Sequence, residues 1–153
     1  MSELSLPVVI QGGMGIGVSS WMLAREVAQT GQLGVVSGVG LDTALVRRLQ
    51  DGDLLGHVRR ALKRFPVQSM VDRVVTRYFR PTGRADGQPY APSPKLSLKP
   101  NRQAQELSVL GNFVEVWLAK DGHKGTIGIN FMEKVQMATP AAALGAMLAK
   151  VDY

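Results

Sequence analysis

The chain has 153 residues, the length of one ordinary domain, and 45% of them are hydrophobic, enough to fill a core. The net charge is +6, there is no cysteine, and His57 and His123 are the only histidines, which excludes a disulfide framework, a thiolate metal site and a histidine-rich metal cluster. No run nears the roughly 18 apolar residues of a membrane span, and the acidic start "MSELSLPVV" does not read as a signal peptide, so a cytoplasmic protein with no membrane partner and no metal is expected.

Residues 6–10, "LPVVI", read as a buried strand. The stretch "VVIQGGMGIGVSS" (8–20) then places four glycines within six residues, between that strand and a serine pair. Ser19 or Ser20 is a plausible N-cap for the helix that follows, in which Trp21, Leu23, Ala24, Val27 and Ala28 recur at helical spacing and Gly31 is a stop. "LGVVSG" (33–38) reads as a second strand. Asp42 reads as the cap of a helix "TALVRRLQ", ended by Gly52. Strand, helix, strand, helix with short loops argues for parallel βα units.

The middle departs from this pattern. "HVRRALKRF" (57–65) and "QSMVDRVVTRYF" (68–79) read as amphipathic helices, the second with an apolar stripe of Met70, Val71, Val74, Val75, Tyr78 and Phe79. Residues 80–100 carry five prolines and little periodicity, so a loop or extended arm is expected. Residues 103–122 return to helix, with Leu107, Leu110, Val114 and Trp117 as the apolar face and Gly122 as the stop. "GTIGINFM" (125–132) reads as a third strand, and "TPAAALGAMLAKV" (139–151) as a helix with Thr139 as N-cap and Pro140 at its first position. Both histidines read as solvated.

The glycine corner does not meet the dinucleotide fingerprint. Gly13-x-Gly15-x-Gly17 is one residue short of G-x-G-x-x-G, and the second strand ends at Ser37-Gly38 without the acid that would hold a ribose. No G-K-[ST] follows, which excludes a P-loop. Two readings stay open from the residues alone. In one, the glycines serve only a tight turn with close backbone packing. Alternatively, bare backbone lies at the C-terminal end of a parallel strand, where α/β proteins hold ligands.

Pro7, Val8, Val9, Gln11, Gly12 and Met14, followed by Leu23, Ala24, Val27, Gly31, Leu33 and Gly34, resemble the opening of the nitronate monooxygenase (2-nitropropane dioxygenase-like) family. Flavin-type enoyl-acyl carrier protein reductases and the flavoproteins of polyunsaturated fatty acid synthases open similarly. "GTIGINFM" resembles the family's third-strand motif, with Asn130 matching its asparagine; Gln32 departs from the usual glycine before "LG". The resemblance covers residues 6–40 and 125–151 and leaves 56–122 as an insertion. It implies the N-terminal portion, about three βα units, of a (β/α)8 TIM barrel with FMN at the strands' C-terminal ends. Gly13, Met14 and Gly15 would lie beside the flavin ring and Asn130 would hydrogen-bond it.

A barrel of this kind takes roughly 250 residues. The resemblance places the FMN phosphate site and the histidine base on later strands, beyond Tyr153, and neither His57 nor His123 matches that base. No catalytic residue is therefore assigned within the chain, which alone is expected to bind FMN poorly. A homo-oligomer or a complementing C-terminal half would close such a barrel. The implied substrates are a nitronate, oxidised through the flavin, or an enoyl thioester delivered by an acyl carrier protein.

A rival reading comes from charge. Residues 42–102 hold thirteen Lys/Arg against five Asp, whereas the rest of the chain holds five basic and seven acidic residues. Arg59, Arg60, Lys63 and Arg64, with Arg77, Arg80 and Arg84, could form a surface for nucleic acid or an acidic partner. The absence of a zinc, helix-turn-helix or RNA-recognition signature favours a solvated helix face instead.

Overall fold

Five consecutive buried residues, Leu33–Ser37, form strand β2. A strand buried along its whole length needs cover on both faces and partners on both sides. β1 (Ile10–Gln11) and β3 (Ile127–Asn130) supply the partners in a three-stranded sheet of order β1-β2-β3. Both pairings are parallel, with Ile10 opposite Leu33 and Ser37 opposite Asn130. The computed structural model describes residues 7–153. Leu6, the first residue of the expected strand, lies outside them.

Among the described residues six helices join these strands: α1 (Trp21–Gln29), α2 (Leu41–Gln50), α3 (His57–Leu62), α4 (Gln68–Tyr78), α5 (Arg102–Lys120) and α6 (Thr139–Leu148), with a 3-10 turn at Gln136–Ala138. The protein is therefore a mixed α/β fold built on a small parallel sheet. α5 lies at its centre. Fourteen of its nineteen residues are buried, so the one-sided apolar face expected from its sequence is instead an almost all-round one. Close approach is paid in side-chain size: a Cβ on Gly111 would come 2.4 Å from the Leu41 carbonyl oxygen, and one on Gly145 2.1 Å from that of Val109. These glycines let α2 and α6 lie directly on α5.

The stretch 56–122 is part of this core. Val58, Leu62, Phe65, Val71, Val74 and Tyr78 join one hydrophobic cluster with Leu45, Leu49, Leu110 and Phe113, and Phe65 meets Phe113 edge-on at 5.0 Å. The arm at 80–100 has no regular secondary structure, as its prolines predict, but it is tied down. Both ends of the Gln50 amide pair with the Ala91 backbone, at 2.7 and 3.3 Å, and the Tyr90 hydroxyl donates to Asp51 at 2.8 Å.

Several local expectations are corrected. The first strand is not buried: Val8, Val9 and Ile10 are 91%, 56% and 63% exposed, because among the described residues nothing pairs with β1 on its outer side. Asp42 sits inside the first turn of α2, whose N-cap is the left-handed Gly40. Thr139 is the first residue of α6 and Ala138 its cap. Ser20 holds the N-cap position of α1 without a side-chain cap bond. Instead the Glu115 carboxylate, from α5, accepts from the Trp21 N–H at 2.8 Å. An acid 94 residues away thus does the work expected of the serines.

Candidate functional site

The three strands end together at Gln11, Ser37 and Asn130, and the glycine turn lies across these ends. Gln11 continues the β1–β2 ladder with its side chain: its Oε1 accepts from the Val35 N–H at 3.2 Å and its Nε2 donates to Gly12 O at 2.6 Å. Ser19, 3% exposed, closes the turn from inside. Its hydroxyl accepts from the Met14 N–H at 2.9 Å and donates to Gly12 O at 3.2 Å. Its backbone N–H reaches Met14 O at 3.0 Å, and its carbonyl accepts from Ser37 at the end of β2. Gly15 and Gly17 take positive φ, +62° and +72°, where glycine is the residue without strain.

Asn130 joins the first and third strand ends. Its Nδ2 donates to Gly13 O at 2.8 Å, and its own carbonyl accepts from the Gly38 N–H at 2.9 Å. Gly13 leaves room for this amide: a Cβ there would lie 2.1 Å from Asn130 Oδ1 and 2.9 Å from Val36 O. The structure thus brings Gly13 and Asn130 into direct contact. Met14 and Gly15 sit beside them on the exposed outer side of the turn.

Around this hub the surface is apolar and open. Met14, Ile16 and Val18 are 72%, 60% and 69% exposed, and Met132, Val135 and Met137, after β3, are about half exposed. The hub itself carries amides, a hydroxyl and backbone, with no ionisable side chain among Gln11, Gly12, Gly13, Met14, Ser19 and Asn130. Such an arrangement can seat a flat, mostly apolar group by contact and neutral hydrogen bonds. It has no group for moving protons. No group of His, Cys, Asp and Glu suited to a metal ion occurs among the described residues.

The histidines lie elsewhere, and neither is simply solvated. His57 packs edge-on against Trp21 at 5.2 Å. His123 braces the entry to β3: its Nδ1 accepts from the Gly125 N–H at 3.0 Å, which leaves Nε2 to donate to Ala119 O.

The basic middle spends much of its charge internally. Arg59 meets Asp53 at 3.1 Å, Arg60 meets Asp121, Arg77 donates to Gln103 at 2.8 Å, and Arg84 lies 3.6 Å from Asp51 and over the Tyr90 ring. Lys63 and Arg64 remain exposed.

Two buried acids on α5 escaped the sequence reading. Glu115 takes Arg48 at 2.5 and 3.3 Å. Glu106 takes Arg73 at 2.6 Å and Arg102 at 2.9 Å. The Arg73 hydrogen bond lowers the Glu106 pKa, against burial, which raises it, and Arg102 adds to the lowering. A signal for both existed: each is a lone acid inside a strongly apolar helix, a placement that requires a partner.

Among the described residues no helix is long and apolar enough to cross a membrane. No protein-family model, curated protein or solved structure matches the chain.

Proposed function

We propose that the chain forms the N-terminal, flavin-facing portion of an FMN-dependent oxidoreductase of the nitronate monooxygenase type, built on a (β/α)8 barrel. The observation that carries this reading is the Gly13–Asn130 hub at the C-terminal ends of parallel strands, ringed by exposed apolar side chains. Ligands of parallel α/β proteins sit at that end.

The residues present fit the edge of a flavin ring. A Cβ on Gly12 would meet nothing within 4 Å, so that face of the turn is bare. Asn130 Oδ1 accepts no hydrogen bond from the described residues and is free for a ring N–H. Gln11 and Ser19 hold the backbone of Gly12 and Met14 in place before any ligand arrives. No carboxylate in the hub opposes an electron-rich ring. Bound FMN would supply the transfer of electrons from a nitronate to oxygen. The protein's part here is to orient the ring and to keep water from one of its faces.

The barrel portion of the proposal draws support from the segment after α6. Ile129 N–H donates to Tyr153 O at 3.0 Å and the Tyr153 N–H to Ile127 O at 3.4 Å, a parallel ladder beside β3.

FMN titrated into the isotope-labelled chain tests the reading. The expected result is weak binding, with a dissociation constant on the order of 1 mM, that shifts the amide signals of residues 12–17 and the side-chain amide of Asn130. Shifts confined to other regions, or none at all, would remove the flavin site. Tight, stoichiometric binding would show instead that no further strands are needed.

A further inference from the structure

α5 and α6 precede β3 and the Val151–Tyr153 ladder, so their C-terminal ends lie at the end of the sheet opposite the glycine corner. There, with the turn after α3, they border an open cavity of about 450 Å³. Arg64, Trp117, Lys120, Asp121, Leu148 and Lys150 line it. The charges in this lining are not balanced. Asp121 is taken by Arg60, and Lys120 by Asp152 at 2.5 Å. Two of the helix-end carbonyls that would otherwise attract the cations are also engaged, Ala119 O by His123 and Asp121 O by Arg25. Arg64 and Lys150 form no ion pair among the described residues.

Lys150 carries a second, independent oddity. It has φ +59°, in the left-handed region, where it closes α6 with Lys150 N–H on Met147 O and Val151 N–H on Ala146 O. This is the helix-ending position that glycine usually occupies. α1 and α5 are followed by glycines in that conformation, Gly31 at +81° and Gly122 at +80°. A residue with a Cβ is strained in that conformation. A lysine is thus held at a strained position on the rim of a cavity with surplus positive charge, and strain of this kind gathers at binding sites.

We propose that this cavity binds a small organic anion. Its carboxylate or phosphate lies between Arg64 and Lys150, and its flat or apolar body lies against Trp117 and Leu148. Charge-assisted hydrogen bonds from two cations hold the acidic group. Arg60, whose guanidinium stands 5.6 Å from the Trp117 ring centre, fixes that ring. The site is independent of the flavin reading, being at the other end of the sheet and built from other residues.

Ligand titrations followed on the Trp117 indole N–H signal test the proposal with four probes: phenyl phosphate, benzoate, benzyl alcohol and inorganic phosphate. Saturable shifts are expected with phenyl phosphate or benzoate, whichever acid the site prefers. Benzyl alcohol, lacking charge, and inorganic phosphate, lacking the ring, should each bind about tenfold more weakly or worse. R64Q and K150G should each weaken the preferred anion by about fivefold or more. K150G relieves the left-handed strain, so its melting temperature should equal or exceed that of the parent, which separates lost binding from lost fold. No saturable response to either anion, an equal response to benzyl alcohol, or unchanged binding in both variants would overturn the proposal.

Discussion

Arg48 and Glu115, 67 residues apart, meet where α2 crosses α5, and the pair is lopsided. The Glu115 side chain is 2% exposed and that of Arg48 31%. Removing one partner therefore differs from removing the other. Arg48→Met leaves a buried carboxylate with a single donor, the Trp21 N–H at 2.8 Å. An uncompensated buried charge costs about 3–5 kcal/mol. Glu115→Gln keeps an acceptor for Trp21 and leaves an arginine that can still reach water. That loss is one charge-assisted hydrogen bond set, about 1–2 kcal/mol. At about 2–4 °C per kcal/mol for a chain of this size, Arg48→Met should lower the melting temperature by about 6–20 °C and Glu115→Gln by about 2–8 °C. The double variant should be less damaged than the sum of the two by about 2 kcal/mol, since a neutral glutamine does not need the arginine. Urea unfolding of the four proteins measures all three values. Equal costs for the two single changes, or strict additivity, would refute the claim that Arg48 neutralises a desolvated acid.

Glu106 makes stability sensitive to acid. Its pKa is lowered in the fold by Arg73 and Arg102. The stabilisation is therefore fully present above the ordinary glutamate value of about 4.3 and is lost as the pH falls below it through the lowered value. Urea midpoints of Glu106→Gln should fall less steeply than those of the parent from about pH 5 downward; parallel curves would refute this. Gly34→Ala should be far more damaging than Gly13→Ala. A Cβ at Gly34 would come 1.9 Å from the backbone oxygen of Ala24, whereas at Gly13 the nearest obstacle is the movable Asn130 amide. Overpacking costs of about 1–3 kcal/mol are expected for Gly13→Ala and more for Gly34→Ala, read as thermal midpoints; the reverse order would contradict the close α1–β2 contact.

Much of the element order was legible. The apolar runs at 33–38 and 125–132 gave strands because β-branched residues bounded by glycine and polar residues suit buried parallel strands. Spacing of 3 and 4 along 68–79 set Val71, Val74 and Tyr78 inward. Helix ends were read less well, since a cap bond can come from anywhere: Gly40 and Ala138 took the places expected of Asp42 and Thr139, and Ser20 holds the expected N-cap position of α1 while the distant Glu115 accepts the hydrogen bond there. The site was half legible. Gly13 and Asn130 were singled out separately, but the bond between them joins residues 117 apart and has no trace in local spacing.

The sequence by itself determined which segments are helical or extended, that the strands run parallel, and that a bare glycine corner follows the first strand. These depend on local periodicity and turn chemistry, which act over a few residues. Only the tertiary structure decided that α5 is the centre of the core, that β1 stays open, and that the two buried acids of α5 are met by Arg48 and Arg73 from other helices. Only it, too, set Lys150 beside Arg64 at a cavity. Burial and charge pairing depend on which distant segments meet, and a packed core settles that through shape and desolvation rather than through the order of residues along one element.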